Sequence, residues 1–267
     1  MDLGSLGYSL GRKRAIVCGS TQGIGRACAL RFADLGAHVT LVARDELALT
    51  RVCGELSTPE QQRHEFVVAD FTEPNSLKDR ITRYLKTSEP VHILLNNTGG
   101  PPHGAIVEAK PEEFVRAISM HVVCNQILVQ AVLPGMKQQG YGRVINIIST
   151  SVKEPIAGLG VSNTTRWAVA SWAKTMAGEL AGFGITVNNV LPGYTDTARL
   201  GSLIKAKAKA GGISEGEVAR QLIERIPAGR LARPEEIAAA AGFLASPSAS
   251  YITGINLPAD GGRLSTM

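Results

Sequence analysis

Seven short runs of β-branched and aliphatic residues recur along this chain, at 15–17, 39–42, 66–68, 93–95, 144–148, 186–190 and 252–257. Segments long enough to be helices lie between most of them. Runs this continuously apolar lack the alternation of a half-exposed strand, so they belong to a sheet covered on both faces. Parallel neighbours need a crossover connection, and an intervening helix supplies it. The expectation is an α/β fold. It is a single doubly wound domain spanning the 267 residues, with a seven-stranded parallel sheet and helices on both faces.

Several other classes are excluded by composition. Apolar residues are 44% of the chain and charged residues 19%, the balance of a globular protein rather than a disordered one. The net charge of +5 is small and scattered, with short basic runs only at 12–14 and at Lys205, Lys207 and Lys209; nucleic-acid binding needs a clustered stripe. Cys18, Cys28, Cys53 and Cys124 show no metal-ligand or redox spacing, so they read as small buried hydrophobes in a reducing, cytoplasmic setting, and no metal site is expected. Residues 1–11 lack the basic and apolar regions of a signal peptide. The uncharged stretch 117–136 has membrane length, but Ser119, His121, Asn125, Gln126, Gln130, Pro134 and Gly135 interrupt it. It reads as a helix buried on more than one side, not as a span.

The strand–helix rhythm breaks once. After the sixth strand, residues 197–210 and 214–226 read as two short helices on a long connection, the second opened by Ser214 and Glu217 at capping-box spacing. Long connections in compact domains commonly serve as binding loops. This one, roughly 194–230, follows a strand's C-terminal end, where open parallel sheets bind ligands. It is read as a substrate lid.

The segment Gly19-Ser20-Thr21-Gln22-Gly23-Ile24-Gly25 follows the first strand and opens a helix over 26–35. In the first βαβ unit, that context makes a glycine triplet a diphosphate cradle. The glycines let the backbone approach the ligand and the helix pack on the strand, and the helix N-terminus offers free N–H groups. At the end of the second strand, an acidic residue would bind a ribose 2′-hydroxyl. Ala43 stands there, followed by Arg44. A guanidinium suits a 2′-phosphate, so the reading favours NADP (NADPH), with NAD as the alternative. Asp45 has a competing role as the cap of the next helix.

These residues resemble the short-chain dehydrogenase/reductase family across essentially the whole chain. The glycine turn, Asn96-Asn97-Thr98-Gly99 after the fourth strand and Pro192-Gly193-Tyr194-Thr195-Asp196-Thr197 after the sixth match its motifs in order. So do Arg233-Pro234-Glu235-Glu236 and the segment from Thr253-Gly254 to Asp260-Gly261-Gly262. The resemblance is nearest to the β-ketoacyl-carrier-protein reductase-like branch. It implies hydride transfer between a nicotinamide and a carbonyl or alcohol substrate, 3-oxoacyl-thioester-like in that branch. It also implies cofactor contacts from Gly19 to Gly25, Arg44, Asp70, Phe71, Asn96, Thr98, Gly99, Arg166, Pro192, Gly193, Thr195 and Thr197. Pairing of the helices at 111–139 and 162–182 in a homotetramer or homodimer is implied as well.

The family's proton-transfer residues are an asparagine, a serine, a tyrosine and a lysine. By alignment of motifs these positions hold His121, Ser149, Ser162 and Arg166. A serine hydroxyl is a far weaker acid than a tyrosine, and arginine does not exchange protons. His121 is the residue expected to titrate near neutrality, and Tyr194 is a second neighbour of the nicotinamide site. Two functions follow as expectations: an NADP-dependent reductase with a rearranged proton path, or a catalytically impaired nucleotide-binding protein serving as sensor or scaffold.

Overall fold

The computed structural model describes residues 7–266. Of the segment 1–11 that lacks signal-peptide character, residues 1–6 lie outside the described residues. One seven-stranded sheet, all parallel, runs in the order β3-β2-β1-β4-β5-β6-β7. Its strands are β1 (Arg14–Cys18), β2 (His38–Ala43), β3 (Glu65–Val68), β4 (Ile93–Asn96), β5 (Gly142–Ile147), β6 (Ile185–Pro192) and β7 (Asn256–Ala259). The order reverses between β1 and β4, so the C-terminal ends of these two strands open the crevice where such sheets take ligands.

One face is covered by α1 (Gly23–Asp34), α2 (Glu46–Glu55) and α9 (Pro234–Ala245), through a core that includes Phe32, Leu41, Leu49, Ile93 and Leu244. The other is covered by α3 (Pro74–Leu85), α5 (Cys124–Gln139) and α6 (Gly160–Leu180), around Leu77, Ile81, Leu94, Leu128 and Met136. Central strands β1, β4, β5 and β6 are almost wholly buried, which is why their sequences are continuously apolar.

Two elements depart from the sequence reading. The seventh strand begins later than expected, at Asn256. Gly254 adopts a left-handed backbone (φ 74°), so residues 252–255 turn rather than extend. The helix at 111–139 is broken by a π-turn. Here α4 (Pro111–Ile118) passes through Ser119–Val123 into α5. The extra residue in such a turn re-aims side chains, and it frequently marks a functional position. Helix 111–139 is long and apolar enough to cross a membrane by length and composition alone; 39% of its apolar window is buried in the fold. Cys124, Leu128, Val132 and Met136 join the core, while Val115 and Val123 are exposed.

The lid forms α7 (Ala198–Gly211) and α8 (Glu215–Glu224) around its own small core of Tyr194, Leu200, Leu203, Val218, Leu222 and Ile226. Ser214 caps α8 by accepting from Glu217 N at 3.1 Å, but the reciprocal half of a capping box is missing. The Glu217 carboxylate turns to Arg220 and Gln221 instead.

A line of four asparagines crosses the sheet. Asn96 Nδ2 donates to Asn146 Oδ1, Asn146 Nδ2 to Asn189 Oδ1, and Asn189 Nδ2 to Asn256 Oδ1, each at 2.8 Å. The four occupy paired positions on β4, β5, β6 and β7. Buried amides are costly unless bonded. The ladder bonds an amide group of each asparagine to its neighbour, leaving Asn96 Oδ1 without a partner among the described residues, and so ties the register of four strands near the ends that carry the site.

Candidate active site

The glycine turn is built by close approach. Gly19 (φ 58°) and Gly23 (φ 53°) are left-handed, a conformation that side chains oppose. A β-carbon at Gly25 would run into the carbonyl oxygen of Gly19 and lie 2.7 Å from Asn97 Nδ2. Asn97 Nδ2 donates to the carbonyls of Cys18 and Gly19, at 3.3 and 3.2 Å, and so pins the turn from β4. Across from it, a β-carbon at Gly23 would touch Thr197 Cγ2 at 3.3 Å. Gln22 supplies no side-chain cap to α1, which leaves the first N–H groups of the helix for a ligand. The buried Ser20 hydroxyl has no partner among the described residues. Thr21 and Ile24 are partly buried and Gln22 is exposed.

At the end of β2, Arg44 is exposed. Asp45 is committed to α2, accepting from Ala48 N at 3.0 Å. Its carboxylate therefore serves the cap, and of the two charges Arg44 is the one left for a ligand. Asp70 Oδ1 accepts from Thr72 N and Oγ1 at 2.8 and 2.9 Å. Those bonds, with Arg44 and Arg116 nearby, hold its carboxyl below the usual range. Phe71 and Asn96 enter the site less directly than expected. The Phe71 ring packs in the core and its carbonyl accepts from Cys124 Sγ, and the Asn96 amide is buried in the ladder. That leaves the backbone of Phe71 for a cofactor, and of Asn96 the backbone and the buried Oδ1, which has no partner among the described residues. Sequence reasoning assigns the cofactor role to Asn96 and passes over Asn97. The signal is the doubled asparagine itself, whose second member lies beyond the last strand residue.

The remaining residues converge from neighbouring strand ends. Ser149 follows β5 and caps the short turn Thr150–Val152, its Oγ accepting from Ser151 N at 3.0 Å. The hydroxyl proton stays free to be donated. Ser162 is buried in the first turn of α6 and its hydroxyl makes no hydrogen bond among the described residues. Arg166, one turn on, reaches under β5 and donates from Nη1 to the Ile147 carbonyl at 3.1 Å. Burial and the charge of Arg199 lower its pKa to about 10, so it stays cationic at neutral pH. After β6, Gly193 lies so close to Asp260 that a β-carbon would meet its Cα at 2.7 Å. Beyond Pro192 the turn is held by Thr195 Oγ1 donating to the Gly193 carbonyl at 3.2 Å. Thr197 Oγ1 caps α7, accepting from Leu200 N at 3.3 Å.

His121 sits in the π-turn, 2% exposed. Its ring bonds the Gly99 carbonyl, in the loop that carries Thr98, and Nε2 has no partner among the described residues. Contrary to the expectation of titration near neutrality, its pKa is held well below the usual histidine range. Burial is the main cause, and the charges of Arg166 and Arg199 add to it. The imidazole is neutral, and its free nitrogen is an acceptor. Tyr194, the other alternative, is packed into the lid core with Arg263 stacked on its ring at 4.9 Å.

A parallel sheet with a glycine cradle at its switch point and polar side chains converging from β4, β5, β6 and α6 defines a nucleotide-dependent enzyme class. Residues 19–263 match the model of the Enoyl-(Acyl carrier protein) reductase family, and the chain belongs to the short-chain dehydrogenase/reductases. It is 32% identical to the 3-oxoacyl-[acyl-carrier-protein] reductase of Vibrio cholerae, over 94% of this chain and 96% of that protein. It is 32% identical to the granaticin polyketide synthase putative ketoacyl reductase 1 of Streptomyces violaceoruber, covering 93% and 92%. The fold superposes on L-sorbose reductase from Gluconobacter frateurii, complexed with NADPH and L-sorbose, with a TM-score of 0.90. Identity there is 30%, and 97% of this chain and 99% of that one are covered.

Proposed function

We propose that the chain is an NADP-dependent oxidoreductase that reduces a carbonyl, or oxidises the matching alcohol. The observation that carries this is the cradle formed by Gly19, Gly23 and Gly25 opposite Thr197, with Arg44 as the free charge at the end of β2. The residues fit the cofactor. A β-carbon would fill the cradle, the Ser20 hydroxyl lacks a partner among the described residues, and Arg44 suits a 2′-phosphate better than a hydroxyl. Thr98, Gly99, Pro192, Gly193 and Thr195 line the nicotinamide end. NADPH in the L-sorbose reductase complex supports the same choice.

When bound, NADPH supplies hydride to the carbonyl carbon. Ser149 donates its free O–H to the carbonyl oxygen. Arg166 holds the nicotinamide ribose and places a fixed positive charge where negative charge grows on that oxygen. Neither Ser162 nor neutral His121 supplies the proton from its own titration; solvent does. His121 fixes the loop at Gly99 and offers Nε2 as an acceptor for a bound hydroxyl.

The proposal extends to assembly and location: a cytoplasmic homotetramer or homodimer, paired through α4–α5 and α6. Exposed Val115 and Trp167 on those helices support it, because such surface is normally covered. The test is titration of pure protein with NADPH and NADH, then NADPH absorbance against a panel of ketones and keto acids. Binding without turnover of any carbonyl would replace the enzyme by the sensor or scaffold reading, and no binding of either nucleotide would defeat both.

A further inference from the structure

Positive charge gathers where α7 meets the loop after β4, and no carboxylate pairs with it among the described residues. Arg199, in the first turn of α7, crosses from the lid to the loop after β4 and donates from Nη2 to the Pro101 carbonyl at 2.6 Å. A β-carbon built at Gly100 would meet Arg199 Nη2 at 3.1 Å and Arg166 Nη2 at 3.8 Å, so two guanidinium groups from different elements face one point. A guanidinium carries five N–H donors. Each of these two uses one on a protein carbonyl and forms no salt bridge among the described residues. His103, in the same loop, has both ring nitrogens buried without partners among the described residues. Its pKa is lowered by burial and then by the charges of Arg199 and Lys207. Two like charges this close repel unless an anion lies between them.

Resting on the oxidoreductase reading, the geometry points to an oxyanion site formed by Arg199 and Arg166 that binds the carboxylate of a short keto acid. Planar guanidinium groups bind carboxylates in a two-bond fork. On the oxidoreductase reading, the site borders the strand end that carries Ser149. Arg166 also bonds Ile147, two residues before Ser149, so a carboxylate at the arginines and a carbonyl at Ser149 belong to one short molecule such as a 2- or 3-oxo acid. The reaction balances without further partners. The carbonyl carbon accepts hydride from NADPH, the carbonyl π pair moves to oxygen, and that oxygen takes one proton from water. The carboxylate is unchanged, and a hydroxy acid and NADP⁺ leave. Arg199 is then a specificity-determining residue, and the lid is tied to the loop after β4 by the residue that reads the substrate.

The other anion within reach is the cofactor's diphosphate, and the test separates the two. Acetoacetate and its neutral methyl ester are compared as substrates for the wild-type enzyme, Arg199→Met and Arg199→Lys. Malonate and dimethyl malonate are titrated calorimetrically into the NADPH-loaded protein. The expected result is an acid-over-ester preference in kcat/KM of about tenfold or more, lost mainly through KM in Arg199→Met and partly restored in Arg199→Lys. NADPH affinity should stay within about twofold. Malonate should bind and its ester should not, an outcome that needs no turnover and survives failure of the reductase reading. The inference is overturned if Arg199→Met weakens NADPH about tenfold while the acid-to-ester ratio is unchanged, or if malonate gives no binding at millimolar concentration.

Discussion

Asn97 Nδ2 donates to the Gly19 carbonyl at 3.2 Å, so the residue that follows β4 holds the turn that follows β1. The same nitrogen would collide with a side chain at Gly25. Cofactor affinity should therefore depend on a side chain that need not touch the cofactor. Asn97→Ala removes both carbonyl bonds at a net cost of about 1–3 kcal/mol, and should raise the NADPH dissociation constant about tenfold or more. Gly25→Ala should abolish nucleotide binding. Calorimetric titration gives the answer, with circular dichroism as the control for folding. Unchanged affinity in Asn97→Ala would mean the turn holds itself.

In the proposed reading, cofactor choice rests on Arg44. Replacing it by Asp puts a carboxylate where a 2′-phosphate is expected and should weaken NADPH while sparing or improving NADH. The change removes a guanidinium–phosphate fork and adds a repulsion, so the preference should move by about two orders of magnitude. Equal weakening of both nucleotides in titration would remove Arg44 from the 2′ position.

The asparagine ladder predicts a stability difference between its ends and its middle. Asn146→Leu strands both Asn96 and Asn189, and each unsatisfied buried amide costs about 1–3 kcal/mol. Asn96→Leu strands only Asn146 Oδ1. The unfolding midpoint in denaturant should fall more for Asn146→Leu than for Asn96→Leu. Equal losses would show that the side chains contribute independently.

Much of this architecture is legible in the sequence because burial on both faces leaves a direct trace. The apolar runs at 15–17 and 93–95 read as interior strands because they are short and recur between helix-length segments. The glycine turn is legible for the same reason, since close backbone approach excludes side chains. What is not legible depends on contacts between distant segments. The ladder joins residues 96, 146, 189 and 256, and nothing local marks Asn146 as its middle. The π-turn at His121 has no sequence signature. The fall in that histidine's pKa comes first from burial in the finished fold, then from Arg166 and Arg199, which are remote in the chain. The lid helices are readable from Ser214 and the glycines, but the reach of Arg199 to Pro101 is not.

Buried and partly buried histidines set the acid limit of stability. The pKa of His92 is lowered to about 4, by burial first and then by Lys13 and Arg14, and His64, His103 and His121 are lowered too. In the unfolded chain these groups take protons near their ordinary value of about 6.5. Below that pH the unfolded state binds more protons than the native one, so stability is full above about 6.5 and falls as pH drops toward 4. His92→Asn, which keeps an acceptor for Arg14 N, should flatten that fall. A thermal midpoint constant from about pH 7 to about pH 4.5 in the wild-type protein would contradict this.

The proton path gives the sharpest test of the site. By the motif resemblance Ser162 is expected at the position of the family's acid, yet its hydroxyl has no partner among the described residues and is too weak an acid to deliver a proton at neutral pH. Ser162→Ala should therefore cost only a few-fold in kcat, and Ser162→Tyr need not help. Ser149→Ala should cost far more, about 10²-fold, by removing the proposed donor to the carbonyl oxygen. Arg166→Met should both raise the apparent NADPH constant and lower kcat, since in the proposed mechanism one guanidinium serves ribose and growing charge together. His121 is neutral, so kcat against pH should show no inflection near histidine's ordinary value of about 6.5. His121→Asn should lower activity without changing the shape of that profile. The measurement is steady-state kinetics of the alanine, methionine and asparagine variants from about pH 5.5 to about pH 8.5, a range that brackets histidine's ordinary pKa. A loss of about 10³ in Ser162→Ala, the size of a full general-acid contribution, would make the serine the acid after all. An inflection that vanishes in His121→Asn would return the proton to the histidine.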